Sequence, residues 1–154
     1  MLNKITNELI SKGIKKAKEL PRQRHLFCFH KEDDVLQRMV NCCLKNTYVR
    51  PHKHPEDGKW ECFVHIRGKS AVVSFDDNGK IIDTIILGKL GQKVAEVPPY
   101  TWHMLISLSG ESIVYEVING KYNPNEHKVF AKWSPEEGTE ESIKYLNDLK
   151  NKIL

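Results

Sequence analysis

Apolar residues recur every three or four positions near the start of the chain. This spacing predicts an amphipathic helix over about residues 2–19, which ends at Pro21 because proline interrupts a helix. The six apolar positions are Leu2, Ile5, Leu9, Ile10, Ile14 and Ala17. The opposite face is rich in lysine. It is either a solvated face of a helix packed on the rest of the domain, which is the commoner case, or a face that lies on a membrane or a partner.

A second helical spacing lies near the end of the chain, at Ile143, Leu146, Leu149 and Ile153. It predicts a helix over about residues 139–152 that packs on the outside of the domain. Ahead of it, residues 134–137 read Ser-Pro-Glu-Glu, which is typical of a capping box.

Between the two helices the apolar residues form short runs that favour strands. Asn78-Gly79 separates two β-branched runs and indicates a tight hairpin turn, because both residues tolerate a positive φ. Many short strands with little helix between them are typical of an antiparallel sandwich or barrel of the jelly-roll kind. The predicted strands are 26–29, 35–44, 47–54, 60–67, 71–75, 81–87, 94–97, 102–108 and 112–118.

Length and charge place the chain among single-domain proteins. Its 154 residues are enough for one packed core. The net charge is +4, with acids and bases mixed along the chain, and no basic tract is interleaved with aromatic residues, so we expect no nucleic-acid partner. No apolar run is long enough to span a membrane, and charged residues interrupt the N-terminal segment, so we expect no membrane association and a cytoplasmic location.

The four cysteines do not form a metal-binding or redox motif. Cys28, Cys42, Cys43 and Cys62 show no Cys-x-x-Cys spacing, and the adjacent pair would face opposite sides of a strand. We expect reduced thiols in the core or barrel wall.

Histidines carry the chemistry that the sequence suggests. His52 and His54 stand two residues apart, so in extended structure both imidazoles point to the same side. Glu61 follows a short polar turn, and His103 opens a later strand after a Pro-rich corner. Three imidazoles and a carboxylate suit zinc, iron, manganese, nickel or cobalt better than calcium or magnesium. Spacing alone leaves metal ligands and ordinary core histidines as equal alternatives.

The same residues carry a family resemblance. His52, His54, Glu61 and Gly68 resemble the first cupin motif, and Pro98 with His103 resembles the second. Over its whole length the chain is similar to the WbuC-type cupin proteins. Further shared features are Asp33-Asp34, Gln37-Arg38, residues 47–54, Lys59-Trp60-Glu61, Phe75-Asp76-Asp77, Thr101-Trp102-His103 and Gly120-Lys121-Tyr122.

The resemblance implies a single domain over residues 1–154. The expected fold is a cupin double-stranded β-helix, an all-β jelly-roll barrel over about residues 25–120, with the N-terminal and C-terminal helices packed outside. The expected cofactor is one divalent transition metal (zinc, iron, manganese or nickel) bound by the three histidines and Glu61. A homodimer is a further expectation, because jelly-roll cupins often dimerise.

The chain departs from the common cupin pattern in two places. The gap between His54 and Glu61 is longer than usual, although it fits the WbuC-type subgroup. The glycine expected two residues after Pro98 is Tyr100 here, which leaves the metal ligands intact but changes the residue at that turn.

Candidate substrate-binding residues surround the predicted ligands. Arg50 and Tyr48 share strand parity with His52, and Arg24 and His30 flank the first strand, where positive charge suits a phosphate or carboxylate. The alternative for Arg24 and His30, with Arg22 and His25, is an edge strand with ordinary surface cations. The weaker candidates are Lys59, Gln37, Arg38, Tyr115 and Tyr122.

Trp60 and Trp102 stand next to proposed ligands and are expected to anchor the core.

Three functions remain open from the sequence. The first is a metal-dependent enzyme of the isomerase or oxygenase type that acts on a small polar or anionic molecule; the WbuC-type resemblance implies a carbohydrate or nucleotide sugar of O-antigen pathways. The second is a non-catalytic cupin that binds or senses a small molecule. The third is an ion with a purely structural role. Fold and ligand set do not choose among them.

Overall fold

The computed structural model describes residues 2–125 and 127–154, which form ten strands and two helices. The strands are β1 Arg24–Cys28, β2 Leu36–Leu44, β3 His52–Lys53, β4 Glu61–Arg67, β5 Lys69–Phe75, β6 Ile81–Gly88, β7 Val94–Val97, β8 Trp102–Ser107, β9 Glu111–Asn119 and β10 Val129–Phe130. The helices are α1 Asn7–Glu19 and α2 Glu140–Ile153.

The strands form two five-stranded antiparallel sheets, as the jelly-roll prediction requires. The first sheet has the order β1-β2-β9-β4-β7 and the second β10-β3-β8-β5-β6. Strands that are distant in sequence are therefore neighbours, and the two ligand-bearing strands β3 and β8 lie side by side in the second sheet.

The core lies in three layers that follow the alternation of each strand. Inward-facing residues such as Cys43 and Leu105 pack between the sheets. Their neighbours Cys42 and Met104 face outward, where Cys42 packs with α1 residues and Met104 with α2 residues. Both helices therefore cover the outside of the barrel, as predicted, and adjacent residues of one strand serve different layers.

The helix starts differ from the prediction. α1 begins at Asn7, because the Thr6 hydroxyl caps it by accepting a hydrogen bond from Leu9 N at 3.2 Å. Leu2 lies before this cap and is 86% exposed. α2 begins at Glu140, and its cap is Thr139, which accepts from Ser142 N at 3.2 Å. The capping box expected at residues 134–137 is therefore wrong.

The ligand strand is much shorter than the predicted 47–54. Only His52–Lys53 has strand geometry. Thr47 instead belongs to a turn, where its hydroxyl accepts a hydrogen bond from Leu44 N at 3.0 Å, and Pro51 has no N–H to donate to a sheet. On its other side this short strand pairs with β10, which the sequence analysis did not predict.

The cysteines and tryptophans meet the expectations only in part. All four cysteines are free, as predicted, although Cys28 is exposed. Trp102 donates its indole N–H to Asp77 and packs against the outer layer of the core. Trp60, the residue directly before β4, is 48% exposed and is therefore not a core anchor. Within the described residues no helix has the length and apolar character needed to cross a membrane.

Candidate metal centre

Four side chains from both sheets meet at one point inside the barrel. His52 on β3 lies directly opposite His103 on β8, and His54 is the residue immediately after β3. Glu61 enters from β4 in the other sheet. Their ligand atoms lie within 4.8 Å of one another, and each residue is at most 4% exposed. The structure thus brings together all four residues that the sequence singled out as metal ligands.

Backbone carbonyl oxygens fix which imidazole nitrogen carries the proton. The Nδ1 atoms of His52, His54 and His103 lie 2.9, 2.6 and 2.8 Å from the carbonyl oxygens of Arg50, His127 and Thr101. A carbonyl only accepts, so each Nδ1 is the donor. The neutral rings therefore present the Nε2 lone pair to the centre, which is the state that binds a metal.

The contacts with Glu61 fit a cation at the centre. Glu61 Oε2 lies 3.0 Å from His54 Nε2 and 2.7 Å from His103 Nε2. With the protons on Nδ1, these nitrogens have no hydrogen to donate, so two lone pairs face a carboxylate oxygen. Such a contact is favourable only with a proton or a metal ion between the atoms. A divalent ion satisfies all four ligands at once, and the donor set fits it.

Electrostatics favour a neutral His52 and an ionised Glu61. Burial, with the nearby charge of Lys128 and His103, holds the pKa of His52 well below its usual value. Burial alone would raise the pKa of Glu61, but the adjacent histidines outweigh it and hold this pKa well below the usual range. A deprotonated ligand set is the form that binds a cation.

The centre opens onto a cavity of about 560 Å³. His52 and Glu61 are part of its wall. A molecule in the cavity would therefore reach the ligand cluster directly. The volume suits a small metabolite.

A second buried carboxyl group shares this cavity. Glu116 on β9 accepts a hydrogen bond from the Asn41 amide. Burial and then the neighbouring Glu61 hold the pKa of Glu116 well above its usual value. No local pattern indicated this residue, since Glu116 reaches the site only through sheet pairing.

Two of the predicted substrate-binding residues line the cavity. These are Arg24 and His30. Arg24 is already bound to Glu137 by two hydrogen bonds of 2.9 Å. His30 Nδ1 lies 3.0 Å from both the backbone nitrogen and the carbonyl oxygen of Arg38, which holds its ring at the cavity wall.

The other three predicted substrate-binding residues contact protein groups elsewhere. The Tyr48 hydroxyl donates to Pro135 O at 3.0 Å, and its ring packs beside Tyr145 of α2. Arg50 donates to backbone and side-chain oxygens of residues 131–134. Lys59 is buried and pairs with Glu56 at 2.6 Å. None of these three is among the cavity-lining residues. Tyr48 and Arg50 were predicted to face the cavity because alternate residues of a strand point to the same side. The segment before β3 is not a strand, so this alternation does not apply to them.

The segment 127–130 contributes site residues that sequence reasoning did not select. His127, Lys128 and Phe130 line the cavity. The carbonyl of His127 also orients His54, and burial, followed by the Lys128 charge, lowers the pKa of the His127 ring to about 3. The only signal in the sequence is the alternation Lys-x-Phe, which is too short to predict a strand.

Tyr100 occupies a left-handed backbone conformation. Its φ is +61°, in the region that favours glycine. This is the position where the cupin pattern has glycine. The turn is kept nevertheless, because Tyr100 N donates to His54 O at 3.1 Å and its hydroxyl donates to Asp57 at 3.0 Å.

A family match covers the first half of the domain. Residues 5–87 match the family described as Domain of unknown function (DUF6016). The chain belongs to this DUF6016 family. The matched region includes His52, His54 and Glu61 of the ligand cluster, whereas His103 lies beyond it. No curated protein matches the chain in sequence.

Solved structures share the fold of this DUF6016 member. The capsular polysaccharide assembling protein CapF from Staphylococcus aureus is 21% identical, with a TM-score of 0.58 over 68% of this chain and 28% of CapF. Oxalate oxidase in complex with glycolate is 12% identical, with a TM-score of 0.57 over 72% of this chain and 56% of that one. A Shewanella oneidensis protein is 10% identical, with a TM-score of 0.56 over 68% of this chain and 72% of that one.

These likenesses confirm the predicted cupin jelly-roll fold. They extend to the fold alone at such identities. The chain spans less than a third of the length of CapF and just over half of oxalate oxidase.

Proposed function

We propose that this protein is a divalent-metal-binding cupin of the WbuC type, and that it is an enzyme acting on a small polar or anionic metabolite. The observation that carries the proposal is the buried cluster of His52, His54, Glu61 and His103, whose imidazole lone pairs converge on one point at the wall of a cavity. Four ligands from one protein leave positions of a five- or six-coordinate ion open to a guest.

The residues of the chain set up this chemistry. A bound divalent ion would polarise a substrate oxygen or lower the pKa of a bound water. The carbonyl oxygens of Arg50, His127 and Thr101 hold the three imidazoles in the ligating tautomer. The apolar side chains Met39, Phe63 and Leu105 line the cavity with the polar groups and limit the water beside the ion.

The substrate class is proposed to be carbohydrate-related, as in O-antigen or nucleotide-sugar metabolism. The WbuC-type motifs support this, and the fold likeness to a capsular polysaccharide assembling protein is consistent with it. The metal is proposed to be zinc, iron, manganese or nickel, because the three-histidine, one-carboxylate set suits each of them.

The direct test is elemental analysis of natively purified protein and its variants. We expect about one transition-metal ion per chain in the wild type and a loss of at least tenfold in metal affinity in His52→Ala, because one of four ligands is removed. His65→Ala is the matched control, since this half-buried histidine lies on the same strand as Glu61 but outside the cluster. Full metal content in His52→Ala would contradict the proposal.

A ligand screen distinguishes an enzyme from a sensor. Thermal-shift measurements on metal-loaded protein with sugar nucleotides, keto acids and thiols identify binders, and a product assay on each binder tests turnover. Conversion that disappears with His52→Ala supports an enzyme. Binding without conversion, under several metals and in the presence of oxygen, would instead identify a non-catalytic binding protein.

We also propose a homodimer as the functional form, as is common for jelly-roll cupins. The two sheets end in strands with one paired side each, β1, β7, β10 and β6, which are the edges available for such an association. Light scattering during size-exclusion chromatography measures the mass directly, and a mass near 17.8 kDa would reject the dimer.

A further inference from the structure

Strand pairing places Lys128 on the same side of the sheet as the metal centre. Phe130 of β10 lies opposite His52, and Val129 lies opposite Lys53. Directly opposed residues of antiparallel strands project to the same face, and faces alternate along a strand. If the same pairing is extended by one residue, Lys128 lies beside His54 on the cavity side of the sheet. Both Lys128 and Phe130 line the cavity, as this pairing requires.

The ammonium group of Lys128 has charged neighbours but no direct partner. Glu116 and Glu61 attract it, while Arg24 and Arg22 repel it. Among the residues that the structure describes, no carboxylate or carbonyl lies at hydrogen-bonding distance of it. A partly buried ammonium without a hydrogen-bonded anion carries a desolvation cost that a bound anion would relieve.

The other strong cations at the cavity already have partners. Arg24 binds both carboxylate oxygens of Glu137, and Arg22 Nε donates to the same carboxylate at 2.7 Å. Across the described part of the cavity wall, Lys128 is therefore the one lysine or arginine without an ion pair. One free ammonium matches a single carboxylate better than a phosphate, which is typically bound by several donors.

The neighbouring residue offers a second unused polar group. His127 is 91% buried, since its exposure is 9%, and its Nδ1 has no hydrogen-bond partner within the described residues. The ring also lines the cavity. Buried polar atoms are nearly always paired in native proteins, so a polar ligand atom beside Lys128 would satisfy this one.

We propose that Lys128 is the specificity-determining residue of the site, and that it binds the carboxylate of a small ligand whose other end coordinates the metal. The inference rests on the proposed metal-binding function and names its ligand class: a small carboxylic acid that also carries a metal-binding oxygen. An ion bound by a single ionised carboxylate leaves the centre with a net positive charge, and the Lys128 charge adds to it, so the metal centre and Lys128 together favour an anion in the cavity.

The test compares three metal-binding probes on the full chain loaded with cobalt(II). Acetohydroxamate binds an open metal position and carries no further charge. The monohydroxamates of malonate and succinate also carry a carboxylate, at two different distances from the hydroxamate group. Titration is followed by the visible absorption of the cobalt ion, which changes only when a probe enters its coordination sphere.

In the wild type we expect at least one carboxylated probe to bind about tenfold more tightly than acetohydroxamate, as one charge-assisted hydrogen bond provides. Lys128→Gln should lose this preference and keep the wild-type cobalt content and acetohydroxamate affinity. Lys128→Arg should retain most of the preference. Lys132→Gln, which removes the same charge from an exposed position outside the cavity, should behave as the wild type.

Two outcomes overturn the inference and differ from each other. If acetohydroxamate binds but carboxylated probes gain nothing, or if their gain survives in Lys128→Gln, the role of Lys128 is rejected while the open metal site stands. If no probe changes the cobalt spectrum in any variant, the open site itself is rejected and the role of Lys128 with it. Unfolding curves for each variant identify any loss of probe binding that is caused by misfolding. If Lys128→Gln is misfolded, the wild type is compared with Lys128→Arg instead.

Discussion

The protonation state of the metal centre is decided at individual backbone atoms. Each ligand histidine donates its Nδ1 proton to a carbonyl oxygen, and two of those carbonyls, Arg50 and Thr101, belong to residues two positions before the histidine. The His-x-His pattern predicted convergent rings, but it contained no information on their tautomers. The third carbonyl, from His127, is 73 residues away from its histidine and was not predictable from local spacing.

Tyr100 allows a test of backbone strain beside the centre. Tyr100→Gly and Tyr100→Ala both remove the ring and its bond to Asp57, and they differ only in the Cβ atom. Because φ is +61°, we expect the glycine variant to be more stable than the alanine variant by about 1 kcal/mol. Urea unfolding monitored by tryptophan fluorescence measures this difference. Equal stability, or a more stable alanine variant, would show that the turn relaxes to a negative φ.

The helix α1 is fixed to the barrel by a close approach at Gly13. A methyl group there would lie 2.5 Å from Cys42 Sγ and 2.8 Å from Phe27 Cε2. Cys42 points outward from β2 and is fully buried by this contact. The amphipathic spacing predicted the buried face of the helix correctly, yet the need for glycine follows only from the distance between helix and sheet.

Gly13→Ala is expected to destabilise the protein although alanine is the better helix former. The gain in helix propensity is about 1 kcal/mol, whereas overpacking a buried contact costs about 1–3 kcal/mol, so we expect a net loss of up to about 2 kcal/mol. Thermal or urea unfolding measures it. Ser11→Ala on the exposed face of the same helix is the control and should not destabilise.

Adding Cys42→Ala to Gly13→Ala should recover part of the loss, because it removes the nearest clashing atom. A Gly13→Ala protein as stable as the wild type would mean that the helix moves away from the sheet at little cost.

Both ends of the domain are joined by one carboxylate. Glu137, just before α2, binds Arg22 and Arg24 at the start of β1, more than 110 residues away in sequence. Burial would raise the pKa of Glu137, but its hydrogen bonds to Arg24 and Arg22 outweigh that effect and lower it. The same contact occupies Arg24, which the sequence placed at the cavity for an anionic ligand.

Glu137→Gln should therefore lose stability in a pH-dependent way. The folded pKa is below the ordinary value of 4.5, so the contribution is complete above that pH and disappears as pH falls through the folded pKa. We expect a loss of about 1–2 kcal/mol at pH 7, because the carboxylate binds two guanidinium groups. Denaturant unfolding over a pH series measures it, and the difference from wild type should shrink as the pH falls below 4.5.

Glu136→Gln is the matched control for this series. Glu136 is 79% exposed and lies 3.7 Å from Arg50, and such surface pairs contribute little. A Glu137→Gln deficit that stays constant from pH 7 to pH 3 would show that packing, and not charge, is the cause.

Nine of the ten strands in their order along the chain, the two outer helices and the identity of the four clustered ligands could be predicted from the sequence. Alternation in strands and the three-to-four spacing in helices are local properties, and they state which residues share a face. His52 and His54 are two residues apart, so even a two-residue strand directs both rings to one side.

Only the tertiary structure decided what else surrounds the centre. His127 and Lys128 reach the cavity from the segment just before the short edge strand β10, and Glu116 reaches it through the pairing of β9 with its neighbouring strands; local spacing in the sequence does not indicate either arrangement. Tyr48 and Arg50 left the predicted site because a turn and a proline interrupt the strand that parity counting assumed. Periodicity encodes the side to which a residue points, whereas the partner it meets there is set when the two sheets close on each other.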